Sequence, residues 1–150
     1  MEDQNFSKTF TVDKTPEEVF NAISNVCSWW TENLEGASQN LNDEFEVRFG
    51  DVHYSRQKLS EVIPGKRMVW LITDSKLTFV EDHHEWTGTE TVFEISAVDN
   101  KTQLTFTHKG LTPKFQCYNG CSSGWTYYIN SLHQFIETGK GVPDERVMTV

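Results

Sequence analysis

The chain has little cysteine, little positive charge and no long apolar run. Its three cysteines, Cys27, Cys117 and Cys121, are an odd number in a chain long enough to build one core without covalent staples. Reduced thiols in a cytoplasmic setting are therefore expected, not a disulfide framework. Lys and Arg total 13 against 22 Asp and Glu, a net charge of −9. Without a basic cluster such a chain is a poor match for nucleic acid or an anionic membrane surface, because both need cations to displace counterions. No stretch approaches the roughly 20 apolar residues of a membrane span. The opening MEDQNFSKTF is too polar for a secretory signal. A nucleophile elbow, a P-loop, an HExxH motif and a dinucleotide-binding glycine pattern are also missing, so no catalytic residue, metal or cofactor is assigned.

What is abundant is aromatic bulk: 10 Phe, 5 Trp and 4 Tyr in 150 residues, read as one domain with a core at about 6–141. Large rings can line a cavity as well as fill a core. Asn5 to Asp13 alternates as a strand. Thr15-Pro16-Glu17-Glu18 is a helix start, with Thr15 as cap, Pro16 at the first position and Glu18 closing a capping box. Val19, Phe20 and Ile23 give that short helix its buried stripe, and a second short helix carries Cys27, Trp29 and Trp30. Gly36 and the following SQN read as a loop.

From Leu41 the period becomes two. Phe45, Val47 and Phe49 share a face, Gly50-Asp51 is a turn, and Val52 to Ile63 returns as a more polar strand expected near a sheet edge. Pro64-Gly65 is a turn, and Met68, Trp70 and Ile72 mark a strand buried on both faces. Leu77 to Val80 reads as a further short strand. Glu90–Val98 and Thr102–His108 are strands joined by a tight turn at Asp99-Asn100-Lys101. After a turn through Gly110 to Pro113, one long helix presents Cys121, Trp125, Tyr128, Leu132 and Phe135 on one face, stops at Gly139, and leaves a loose tail. Short turns between consecutive strands imply an antiparallel sheet. The fold expected is α+β, a curled sheet gripping the C-terminal helix, with two short helices after the first strand.

Inward rings and a helix stripe that do not meet would leave a pocket. Its expected lining is Trp30, Val47, Phe49, Trp70, Phe93, Phe106, His108, Cys121, Trp125 and Tyr128. Of Trp29 and Trp30, one is expected in the core and the other at the pocket entrance. His108 either meets a ligand or is a buried, hydrogen-bonded imidazole. Cys117 and Cys121 can share a helix face with His108 nearby, yet a zinc site wants four ligands and the fourth has no source, while a disulfide on a continuous helix would be strained. Gly124 is expected where the helix packs closely on the sheet. His53, His83 and His84, with Glu81, Asp82 and Glu85, read as solvated surface.

The stretches TVDKTPEEVFNAISN followed by WW, EVIPGKRMVW, EWTGTETVFEI, TQLTFTHKGL and GWTYYINSL resemble the START-like or Bet v 1-like (SRPBCC) helix-grip superfamily. More narrowly, they resemble the group related to the C-terminal domain of the activator of Hsp90 ATPase. The resemblance runs from about Phe6 to Gly141 and implies a small hydrophobic or aromatic ligand held between helix and sheet. Two other functions occur among such domains: a chaperone- or protein-binding module, and a cyclase- or hydrolase-type enzyme, here with His108 as its proton-transfer group.

Overall fold

The structure is a computed structural model that describes residues 5–31, 33–49, 53–78, 80–81, 83–112, 115 and 118–142. The expected turn at Gly50-Asp51, Pro113, Cys117 and the tail from residue 143 lie outside the described residues.

The strands are β1 (Phe6–Val12), β2 (Leu34–Gly36), β3 (Glu44–Phe49), β4 (His53–Ile63), β5 (Arg67–Leu77), β6 (Glu90–Val98) and β7 (Lys101–Lys109). They form one antiparallel sheet in the order β1-β7-β6-β5-β4-β3-β2. Helix α1 (Pro16–Ser24) follows β1, and α2 (Tyr118–Thr138) packs against β1 and α1. The second short helix is a single 3-10 turn at Val26–Ser28. Among the described residues no helix is long and apolar enough to cross a membrane.

Local chemistry sets the boundaries. Glu18 N–H donates to Thr15 Oγ1 at 3.1 Å and Thr15 N–H to Glu18 Oε1 at 3.0 Å, the reciprocal capping box expected. Burial of Val19, Phe20 and Ile23 then fixes α1 to the core, at about 1.5–3 kcal/mol per side chain. Asp99 and Asn100, both at positive φ, make the two-residue turn that pairs Val98 with Lys101. At Pro64-Gly65 the amide of Lys66 donates to Ile63 O with Gly65 at φ +74°, a type II turn. Helix α2 ends where Gly139 takes φ +85°.

Four expectations need correction. Gly36, read as the start of a loop, ends the edge strand β2 at Leu34–Gly36; a three-residue strand is too short for period two to show. Leu77 ends β5 and does not begin a new strand, because β5 continues through a register shift; Phe79 lies outside the described residues. Strand β4 is interior to the sheet, between β3 and β5. Finally, a Cβ at Gly124 would meet nothing nearer than Tyr128 Cε2 at 3.9 Å, so close packing does not explain that glycine.

Two irregularities position the interior. The β4–β5 register shifts between Arg56 and Gln57 and between Leu59 and Glu61, and such bulges bend strands and increase twist. Between them Trp70 and Ile72 are fully buried, as is Met68 past the second shift; beyond Thr73 and Asp74 the alternation changes parity, and Ser75 and Leu77 become the buried residues. Strand β6 pairs with β5 only along Arg67–Leu71. The segment before β6 runs along the far half of β5, with Gly88 N–H donating to Ile72 O and Leu77 N–H to His83 O. That segment carries Trp86 inward.

Candidate functional site

The inward faces of β3, β5, β6 and β7 oppose the apolar stripe of α2. Trp30 bridges the two sides, its ring centroid 5.0 Å from Trp125 on the helix and 5.7 Å from Phe49 and Trp70 on the sheet. Trp70 meets Phe93 at 4.7 Å, Phe93 meets Phe106 at 5.1 Å, and Phe106 meets Trp125 at 4.6 Å. Phe49 meets Tyr128 at 5.5 Å. The ten residues expected as lining are all buried. Eight of them are linked by ring contacts, and Val47 and Cys121 belong to the same apolar cluster. Both Trp29 and Trp30 are buried, so the expected division between core and entrance does not hold.

His108, fully buried at the inner end of β7, has a defined protonation state. The indole N–H of Trp125 donates to His108 Nδ1 at 3.0 Å. An indole is only a donor, so Nδ1 carries no proton and the neutral ring holds its hydrogen on Nε2. That Nε2 lies 2.8 Å from Thr89 Oγ1, whose own hydroxyl donates to Trp86 O at 2.6 Å. Burial first, and the neighbouring His53 second, push the His108 pKa down to about 3.

A polar ring lies beside the aromatic wall. On β4, Gln57 Nε2 donates to Ser55 Oγ at 2.6 Å, and Ser55 Oγ lies 2.9 Å from His53 Nε2. Trp86 sits between the imidazoles of His53 and His108, 4.7 Å from each, and stacks on Trp125 at 5.8 Å. Thr91 is the register neighbour of both His108 and Trp70. The ring thus runs Gln57, Ser55, His53, Trp86, His108, Thr91. Three of its buried polar atoms, Gln57 Oε1, Trp86 Nε1 and Thr91 Oγ1, have no hydrogen-bond partner among the described residues. A fourth such atom, His133 Nε2, is on the flank of α2, where His133 stacks on Phe10 and approaches Glu137 at 3.4 Å. Burying an unpaired polar group costs about 1–3 kcal/mol, so three around one ring are a substantial penalty unless something else meets them.

Most of this ring was not legible as a site. His53, expected as solvated, is part-buried against Phe49 and Trp86 because β4 is interior. The polarity of β4 suggested an edge, but Ser55 and Gln57 share the inward face with Leu59. That shared period-two face was the available signal. Trp86 was obscured by its acidic surroundings. Cys121, expected as a thiol, is disulfide-bonded, whereas Cys27 is exposed. The expected strain applied to a bridge between Cys117 and Cys121 on one continuous helix, and Cys117 lies outside the described residues.

Residues 13–137 match the family model described as Activator of Hsp90 ATPase homolog 1-like protein. No curated protein matches the chain by sequence. Among solved structures, the Aha1 dimer from Colwellia psychrerythraea is similar at 24% identity, over 92% of this chain and 99% of that one, with TM-score 0.74. Protein SSP2350 from Staphylococcus saprophyticus is 15% identical over 93% and 96% of the two chains, with TM-score 0.68. CalU16 from Micromonospora echinospora is 17% identical over 89% and 76%, with TM-score 0.63. At these identities the likeness establishes the helix-grip fold.

Proposed function

On the premise that the chain belongs to the Activator of Hsp90 ATPase homolog 1-like family, we propose that it binds a small hydrophobic or aromatic molecule between α2 and the sheet. The observation that carries this reading is the pairing of a continuous aromatic wall with buried polar atoms that lack partners among the described residues. Apolar area removed from water would supply the affinity, at about 25 cal/mol per Å² before ordering costs. The polar atoms would supply orientation. His108 serves this site as a fixed neutral post. Both ring nitrogens are engaged and its pKa is about 3, which leaves it poorly matched to proton transfer at neutral pH.

Native mass spectrometry of the purified protein, alone and with a panel of bicyclic aromatic compounds, tests the reading. One-to-one adducts that survive desolvation are expected. Folded protein that shows only its bare mass across the panel would end this proposal.

The family description and the likeness to Aha1 favour a second reading, a protein-binding module of co-chaperone type. Its surface signature is weaker. The large exposed apolar side chains among the described residues, Leu41, Ile63, Val98, Tyr127 and Val142, each come from a different segment. Direct binding to purified Hsp90 that competes with no small ligand would favour the module.

A further inference from the structure

The three unpartnered atoms of the polar ring differ in kind. Gln57 Oε1 can only accept a hydrogen bond, Trp86 Nε1–H can only donate one, and the Thr91 hydroxyl can do either. They flank one continuous run of side chains, joined by the Gln57–Ser55–His53 hydrogen bonds, the His53–Trp86–His108 ring contacts, and the Thr91–His108 register pair. A ligand group that satisfies all three must itself both donate and accept. The charge of that group is also constrained. Every buried polar side chain among the described residues is a hydroxyl, an amide, an indole or the imidazole of His108, and none is a carboxylate, ammonium or guanidinium. An ionised ligand group placed here would lose its water without gaining a counter-ion.

We infer that Gln57, Trp86 and Thr91 form the polar end of a site that selects uncharged aromatic molecules bearing both a donor and an acceptor. Primary aromatic carboxamides are the fitting class, and ionised analogues are rejected. The amide NH2 donates to Gln57 Oε1, and its carbonyl accepts from Trp86 Nε1–H and the Thr91 hydroxyl. This selectivity rests on the ligand-binding reading above and adds the chemistry of the group recognised.

Three probes of nearly equal shape separate the two levels: naphthalene-2-carboxamide, 2-methylnaphthalene and naphthalene-2-carboxylate. Each is titrated calorimetrically into the full chain at neutral pH. The carboxamide is expected to bind about tenfold more tightly than the hydrocarbon, the value of one good hydrogen bond, and the carboxylate most weakly. Thr91→Val and, independently, Trp86→Phe should each shrink the carboxamide's advantage over the hydrocarbon, read as the ratio of the two affinities within each variant. Equal binding of all three probes overturns the selectivity while leaving ligand binding in place. Selectivity that survives both substitutions overturns the assignment to these residues. No binding of any probe by folded protein overturns ligand binding too, and leaves the polar ring occupied by ordered water only.

Discussion

The indole N–H of Trp125 on α2 donates to Nδ1 of His108 on β7 at 3.0 Å, so a buried side-chain hydrogen bond joins the gripping helix to the sheet. It lies within a chain of groups that ends on a loop carbonyl, through Thr89 Oγ1 to Trp86 O. Helix, sheet and inturned loop therefore share one polar register inside an aromatic interior. Such a network is strong when complete and expensive when broken.

Trp125→Phe should expose this. It keeps an aromatic ring but leaves His108 Nδ1 buried and unpaired, at about 1–3 kcal/mol, with a further loss for the missing indole volume. The urea midpoint should fall with an unchanged m-value. In a double-mutant cycle with His108→Gln, the two losses should combine non-additively.

Stability should also decline in acid through His108. Its folded pKa of about 3 lies below the ordinary 6.5, so the unfolded chain takes up a proton that the native protein refuses. Stability is fully present above the unfolded pKa and falls as pH drops below it, by up to about 1.4 kcal/mol per pH unit until the folded pKa is reached. Urea midpoints between about pH 7 and pH 4 measure the slope, and His108→Gln should flatten it. An equal slope in the variant would assign the acid limb to the carboxylates.

Thr91→Val is expected to raise the melting temperature of the ligand-free protein. The substitution keeps the branched shape and removes a fully buried hydroxyl that has no partner among the described residues; relief of about 1 kcal/mol is the scale. A drop in melting temperature would mean the hydroxyl is already satisfied.

Two glycines should respond oppositely to alanine. Gly36 sits at φ +113°, and an added Cβ would lie 2.3 Å from Glu44 O and 2.7 Å from Phe45 Cα, both backbone atoms. Gly36→Ala should destabilise by more than about 2 kcal/mol, combining positive-φ strain with a clash. Gly124 is helical with ordinary space around it, so Gly124→Ala should stabilise by up to about 1 kcal/mol. Thermal unfolding of both variants tests the pair.

The sequence by itself determined the fold to a large extent. The capping box at Thr15 and Glu18, the Pro64-Gly65 and Asp99-Asn100 turns, the stop at Gly139 and the period-two faces of β3, β5, β6 and β7 are local signals, each set by a few neighbouring residues. The apolar half of the candidate site was legible for the same reason, since Phe49, Trp70, Phe106 and Trp125 are inward by their own periodicity. Only the tertiary structure decided the polar half. Ser55 and Gln57 read as edge residues until β4 is placed between β3 and β5. Trp86 reads as part of an acidic loop until that loop is laid along β5 beyond its bulge. The state of His108 follows from Trp125 and Thr89, 17 and 19 residues away. Whether a polar group faces water or the interior depends on strand order and on bulge parity. Both are properties of long-range pairing, and local pattern does not carry them.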